Sequence, residues 1–255
     1  MRPYYQDEWV TIYNGDAREI LPGMSDIEII TDPVWPGANT NIPGADRPYS
    51  LFKEFCQALP RSTRRLVIQL GCDSDPRFLK SLPAWLPFLR ICSLEYTIPS
   101  YKGRILNTGD FAYVFGQSPR WREDRQLMPG VCRSNYVEKL FQKHNGKHKI
   151  HEGRAPAHIT AIEELPHPCT RRLQHLYWLV HYFSDDLVVD PFMGSGTTIV
   201  AAKYLNRKSI GIEIEEKYCR LAVERLSQSV MDLCSITPPP DGKQSCLKLF
   251  ESSGK

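Results

Sequence analysis

A glycine turn followed about 20 residues later by an acid is the clearest chemical pattern in the chain. Gly194 and Gly196 come directly after a short apolar run, and Glu213 lies near the end of a second apolar run. In a strand–turn–helix–strand unit of this spacing, the turn lets the backbone approach a ligand closely and the later acid binds ribose hydroxyls. The pattern therefore indicates a nucleoside-binding site.

The residues around the turn indicate which nucleoside binds. A pyrophosphate cofactor favours a third glycine, but position 199 is Ile, and Asp190 before the turn would repel phosphate. The same carboxylate suits the ammonium group of an amino acid, so the pattern favours S-adenosylmethionine over NAD. The missing glycine argues against an NAD-dependent oxidoreductase. Tyr204 and Lys208 have the spacing of a proton relay, but they lie inside the nucleoside unit itself.

Hydrophobic periodicity predicts the elements that position these residues. Apolar runs and alternations predict strands, and apolar residues at helical spacing predict helices between them. Alternating strands and helices favour an α/β protein with a mostly parallel, doubly wound sheet. Thr197 and Thr198 are expected to cap and open the helix after the turn. The predicted strands are 9–13, 27–30, 65–70, 91–98, 111–115, 187–189 and 209–214, and the predicted helices are 17–21, 49–59, 75–82, 170–183, 198–205 and 215–231.

Two segments resemble the cofactor motifs of DNA amino-methyltransferases, which methylate adenine N6 or cytosine N4. They are Asp190-Pro-Phe-Met-Gly-Ser-Gly-Thr-Thr198 and Gly211-Ile-Glu-Ile-Glu-Glu-Lys-Tyr-Cys-Arg-Leu-Ala-Val-Glu-Arg225. Their place near the C-terminus resembles the permuted beta group of that family, whose order implies a catalytic motif near the N-terminus. Thr31-Asp32-Pro33-Val34-Trp35 resembles the family's D-P-P-[YFW] at that place. His167-Pro-Cys-Thr-Arg171 resembles its H-P-T-x-K-P segment.

The resemblance implies a Rossmann-like methyltransferase fold and a role for each matching residue. Asp32 and the Pro33 carbonyl would accept hydrogen bonds from the target amine, and Trp35 would stack on a base flipped out of the duplex. No metal is required. Methionine and ribose of S-adenosylmethionine would contact Asp190, Phe192, Gly194, Ser195 and Gly196. Thr197 and Thr198 would be further contacts. Glu213 would bind the ribose hydroxyls, and Asp16 would lie near the cofactor's adenine.

Val34 departs from the family pattern, because a proline usually stands there and stiffens the turn that aims the carbonyl. This departure keeps open a catalytically inactive DNA-binding protein that retains the fold. Asp rather than Ser at the start of the motif favours adenine N6 over cytosine N4 as the target. RNA as the substrate stays open as well.

Composition and charge outline the domain organisation. The chain has 255 residues, a net charge of +3 and eight cysteines without a C-x-x-C pair, which indicates a cytoplasmic protein with reduced thiols rather than a zinc or disulfide scaffold. No apolar run is long enough for a membrane span. Double-stranded DNA is the expected partner, and a homodimer is open because related enzymes often pair. The predicted units are a catalytic half (1–116), a target-recognition insert rich in basic and aromatic residues (117–166), a cofactor-binding half (167–233) and a polar tail (234–255).

Overall fold

The computed structural model describes residues 2–37, 42–72, 74–102, 104–125, 127–134, 142–144, 147–149 and 171–233. Within these ranges the chain alternates strands and helices, as the periodicity predicts. The elements are β1 (Tyr5–Gln6), β2 (Val10–Asn14), α1 (Ala17–Ile20), β3 (Glu28–Thr31), α2 (Pro48–Ala58), β4 (Arg65–Gly71), β5 (Phe88–Lys102), β6 (Ile105–Gly116), β7 (Val131–Ser134), β8 (Gln142–His144), β9 (Lys147–Lys149), α3 (Leu173–Phe183), β10 (Val188–Asp190), α4 (Thr197–Tyr204), β11 (Ser209–Glu213) and α5 (Glu216–Leu233).

Nine of these strands form one sheet in the order β1-β2-β11-β10-β3-β4-β6-β5-β7, while β8 and β9 pair separately. The five central strands from β2 to β4 are parallel, and β6 joins β4 antiparallel. From β10 the chain passes through α4 to β11, its neighbour on one side of the sheet. From β3 it passes through α2 to β4, its neighbour on the opposite side. The boundary between β10 and β3 is therefore a topological switch point, where open α/β sheets bind their ligands. The predicted α/β class with a mostly parallel sheet is confirmed.

Helices cover both faces of the sheet, which explains why its central strands are buried on both sides. Phe52 and Phe55 of α2 pack with α1 on one face, against Leu66 and Ile68 of β4. On the other face α3 and α4 pack against the intervening residue Val67. The residues of β3 and β10 are all buried. Parallel strands covered on both sides can keep apolar side chains on both sides, so period-two alternation is not expected in them.

Several predicted boundaries and faces were wrong in detail. The N-cap of α4 is Gly196 in the left-handed region, with no side-chain cap, so neither Thr197 nor Thr198 caps the helix. The helical spacing of α3 predicts that Tyr177 shares an apolar face with Leu173 and Leu176, but Tyr177 is 40% exposed, whereas Trp178 is buried. Predicted helix 75–82 is a 3-10 helix over Pro76–Ser81. Tail residues 234–255 and most of insert 117–166 lie outside the described ranges.

A buried cluster of charged side chains lies at the end of the central strands opposite the switch point. Arg65 donates to Glu28 at 3.0 Å and to Asp185 at 3.1 Å, and Arg125 also pairs with Asp185. All four side chains are at most 4% exposed. Arg125 was expected to face DNA as part of the insert; it instead serves this cluster, because its guanidinium is buried against the carboxylate of Asp185.

Candidate active site

A cavity of about 220 Å³ opens where the central parallel strands end. The sequence patterns predict eleven residues of the site, and ten of them line this cavity. The exception, Gly196, lies behind the turn against α5, where Ala222 is its neighbour. The ten that line the cavity are Asp16, Asp32, Pro33, Trp35, Asp190, Phe192, Gly194, Ser195, Thr197 and Glu213.

The catalytic motif and the cofactor motif meet because β3 and β10 are neighbouring parallel strands. Thr31, the last residue of β3, donates its hydroxyl proton to the Asp190 carboxylate at 2.7 Å. Burial raises the pKa of Asp190 to about 6, although hydrogen bonds from Thr198, Thr31 and the Phe192 amide act in the opposite direction. One hydrogen bond therefore links two motifs that are far apart in the sequence.

The glycine turn between β10 and α4 is held in a conformation that side chains rarely adopt. Gly194 has a φ of +52° and Gly196 a φ of +82°. A Cβ on Gly196 would lie 2.8 Å from the Cβ of Ala222, so there is also no space for one. Arg225 of α5 fixes the turn from behind by donating to the Ser195 carbonyl at 2.6 Å and to the Ser195 and Thr197 hydroxyls at 3.0 Å.

Glu213 at the end of β11 faces the turn. Its two carboxylate oxygens accept the Gly194 and Glu215 amide protons, each at 2.8 Å. Burial raises the pKa of Glu213, and these amide bonds partly oppose that effect. A carboxylate has about four lone-pair sites, so two remain for further donors such as the two hydroxyls of a ribose. The geometry fits the role that the spacing predicts.

Asp16 lies at the cavity rim, where it caps α1. Its carboxylate accepts the Arg18 amide proton at 2.9 Å and pairs with the Arg18 side chain, which also reaches Glu54. These bonds lower the pKa of Asp16, since the largest contribution is the hydrogen bond from Arg18. Asp16 is therefore ionised at neutral pH and fixed in direction.

Asp32 follows β3 and is held by an arginine from outside the motif. Arg171 donates to both carboxylate oxygens, to Oδ1 at 2.8 Å, and a third donor of the same guanidinium reaches Asp110 at 2.9 Å. Burial raises the pKa of Asp32 to about 6, and the charge and hydrogen bonds of Arg171 oppose this rise. The Arg171 guanidinium also lies 4.5 Å from the centroid of the Trp35 ring. One face of Trp35 is thus occupied by Arg171.

The balance of charge in the cavity tests whether the proposed cofactor fits. Four acids line it, namely Asp16, Asp32, Asp190 and Glu213, together with Arg18, Arg47 and Arg171. Arg18 pairs with Asp16 and Arg171 with Asp32, whereas the hydrogen bonds of Asp190 and Glu213 beside the turn come from hydroxyl and amide groups of the described residues. Two carboxylates that are not neutralised by arginine disfavour a polyphosphate at the turn, whereas a ligand with an ammonium and a sulfonium group is attracted to them. Together with the free lone pairs of Glu213, the acidic lining fits S-adenosylmethionine.

Sequence reasoning did not find two contributors to the site. Arg225 ends a motif that the sequence identified, but nothing in its spacing shows that it reaches back to Ser195. Asp110 comes from β6, and no motif marks it. The predicted entry segment at 167–171 lies outside the described residues, apart from Arg171. Within the described ranges, no group of three or more His, Cys, Asp or Glu side chains could hold a metal ion.

Comparisons with known proteins find DNA methyltransferases among the relatives of this chain. The family model described as DNA methylase, for the N6 and N4 enzymes, matches residues 103–224. The type II methyltransferase M.ScaI of Streptomyces caespitosus is 24% identical over 91% of this chain and 86% of its own length. Several other methyltransferases are 41–54% identical, but those matches span less than a third of their length.

Solved structures share the fold. The M1.HpyAVI–SAM complex has a TM-score of 0.53 at 22% identity and covers 85% of this chain and 100% of that one. PvuII DNA methyltransferase, which is cytosine-N4-specific, has a TM-score of 0.59 at 16% identity, with 91% and 94% covered. The family match and the relatives support a DNA amino-methyltransferase, the class of enzyme that methylates adenine N6 or cytosine N4. None of the helices in the described ranges has the length and apolarity to cross a membrane.

Proposed function

We propose that this protein transfers a methyl group from S-adenosylmethionine to the N6 amine of adenine in double-stranded DNA. The observation that carries the proposal is the single cavity shared by Asp32 and the glycine turn, joined by the hydrogen bond between Thr31 and Asp190. When bound, the cofactor supplies an electrophilic methyl carbon on sulfur. The DNA substrate also favours the cytoplasmic location that the sequence predicts, and a homodimer stays a prediction.

The residues of the chain supply position and electrostatics. An exocyclic amine is a poor nucleophile because its lone pair is delocalised into the ring. Hydrogen bonds from the amine to the Asp32 carboxylate and the Pro33 carbonyl would favour a pyramidal nitrogen whose lone pair points at the methyl carbon. With S-adenosylmethionine bound beside Asp190 and Glu213, the nitrogen would take the methyl group as the carbon–sulfur bond breaks, and the electron pair of that bond would stay on sulfur. The nitrogen then loses one proton, and Asp32, whose pKa is about 6, can accept it.

The choice of adenine depends on the motif and is separate from the choice of reaction. Asp at position 32, rather than Ser, favours adenine. The alternative, N4 of cytosine, would use the same contacts, because cytosine also places an exocyclic amine beside a ring nitrogen. Because a cytosine-N4-specific enzyme shares this fold, the experiment must distinguish the two methylated bases.

The test is methyl incorporation from tritiated S-adenosylmethionine into unmethylated duplex DNA of mixed sequence. The digested nucleosides are identified, and Asp32→Asn serves as an isosteric control that removes the charge. We expect N6-methyladenine from the wild type and at least a hundredfold less from the variant, because the acceptor for the amine is weakened and cannot take the proton. N4-methylcytosine would reverse the choice of base. No incorporation, with cofactor binding intact, would refute the proposal in favour of an inactive DNA-binding protein or an RNA substrate.

A further inference from the structure

Arg171 makes contacts that the proposed reaction does not use. Its side chain is only 15% exposed, and its guanidinium joins Asp32 and Asp110 while lying over the ring of Trp35. Arginine donates through five N–H groups in a fixed planar arrangement, so two parallel bonds to one carboxylate define the plane of that carboxylate. Asp32 therefore has one preferred orientation as long as Arg171 is in place.

Asp110 in turn fixes Arg171. The same carboxylate oxygen of Asp110 accepts from Arg171 and from the Gln69 side-chain amide, both at 2.9 Å. The Asp110 side chain is 6% exposed and lies at the middle of β6, at the first residue of that strand that pairs with β4. Asp110 thus anchors the Arg171 guanidinium to the sheet.

A carboxylate held in this way can still serve the target amine. Arg171 uses two of the roughly four lone-pair sites on Asp32, so two remain for the hydrogens of an amine. Arg171 and the amine can bind Asp32 together. This arrangement has the geometry of a reacting group oriented by a second residue that is itself anchored by a third.

We propose that Arg171 is a positioning residue for Asp32, which it orients and stabilises as an acceptor for the target amine while Asp110 anchors its guanidinium. This inference rests on the proposed function and adds to it a residue that acts through Asp32. Trp35 contributes by covering the guanidinium on one side, so its opposite face is the one available to a base.

The inference has a consequence for pH dependence with a definite sign. Among the described residues, the charges that act most on Asp32 are those of Arg171 just before α3, Asp110 of β6 and Asp190 of β10, with Tyr96 of β5 near the first two. Of these four groups, only Arg171 is a cation. Burial and the two acids raise the pKa of Asp32, and Arg171 lowers it. Removing Arg171 must therefore raise the pKa further and shift the loss of activity in acid to higher pH.

The experiment measures the ionisation of Asp32 directly and does not require turnover. Carboxyl carbon-13 spectra of the protein labelled at aspartate are recorded against pH, with Asp32→Asn used to assign the resonance. Arg171→Ala is compared with Arg171→Lys, which restores the charge without the paired contact. Arg172→Ala is the matched control, because this adjacent guanidinium lies 4.1 Å from the centroid of Tyr96. The methylation rate is then measured over the same pH range.

We expect Arg171→Ala to raise the titration midpoint of Asp32 by about 1–3 pH units, the usual effect of losing a close opposite charge. Arg171→Lys should give a smaller shift, and Arg172→Ala should leave the midpoint in place. The acid limb of the methylation rate should move with the midpoint. An unchanged midpoint in Arg171→Ala would overturn the inference. A shifted midpoint in a protein that methylates no nucleic acid would support Arg171 as the positioning residue while the proposed function fails.

Discussion

Replacing Gly196 by alanine tests whether the glycine turn needs both its backbone conformation and its lack of a side chain. At a φ of +82°, an alanine costs about 1–2 kcal/mol because its Cβ approaches its own backbone. The Cβ would also lie 2.8 Å from Ala222 Cβ and 3.3 Å from two atoms of Ile199. Such overpacking of a buried site costs about 1–3 kcal/mol more. The expected loss in the free energy of unfolding is therefore about 2–5 kcal/mol.

Gly37 offers a matched control for the backbone contribution. It has the same φ of +82°, but no described atom lies within 4 Å of the position that its Cβ would take. Gly37→Ala should therefore cost only about 1–2 kcal/mol. The difference between the two variants isolates the packing of the turn against α5.

Urea unfolding of the wild type and both variants gives these free energies, and thermal unfolding gives an independent reading. For a domain of this size each kcal/mol lowers Tm by about 2–4 °C, so Gly196→Ala should melt well below Gly37→Ala. Gly196→Ala should also bind S-adenosylmethionine more weakly, because the amides of the turn must move. Equal losses in the two variants would refute the claim that α5 closely contacts the turn.

Two further predictions concern carboxylates. Glu213→Gln should weaken S-adenosylmethionine binding, measured by calorimetry, by about 10- to 100-fold, because it weakens hydrogen bonds to a charged group. The control Glu216→Gln, at an exposed position, should leave the affinity unchanged. Equal affinities of the two variants would exclude the ribose role of Glu213. Arg65→Met should lower the free energy of unfolding by about 3–5 kcal/mol in urea, because it leaves Glu28 buried without its 3.0 Å partner. Adding Glu28→Gln should recover part of that loss, and a cost below about 1 kcal/mol for Arg65→Met alone would contradict the importance of the cluster.

The sequence was sufficient for the parts of the site that depend on local patterns. The spacing of Gly194, Gly196 and Glu213 defines one strand–turn–helix–strand unit, and the apolar runs around it predict their own burial. These signals lie within short stretches of chain, so they can be recognised without knowledge of the tertiary structure. The placement of Asp32 also followed, because carboxyl ends of parallel strands meet at one edge.

The contacts that the sequence did not reveal are between residues far apart in the chain. Arg171 reaches Asp110 only because β6 is inserted antiparallel beside β4, and no residue pattern specifies that neighbour. Arg125 belongs to a basic stretch, which predicted a surface facing DNA. Its buried partner, Asp185, comes 60 residues later in the chain. Tyr177 and Trp178 show the same limit. They lie about 100° apart around the helix, so the packing partner decides which of the two falls inside the buried face.

The order of strands in the sheet has a consequence for how the protein is made. Strands β2 and β3 are consecutive in the chain but not in the sheet, because β11 and β10 lie between them. A nascent chain that ends before residue 188 must therefore leave two strand edges unpaired at the centre of its sheet. Such edges can pair with other chains, and contacts across so large a sequence separation form slowly. The sheet is therefore completed only when the last quarter of the polypeptide has been made. If synthesis stops earlier, the released fragment is prone to aggregate, and neither half of its site can function.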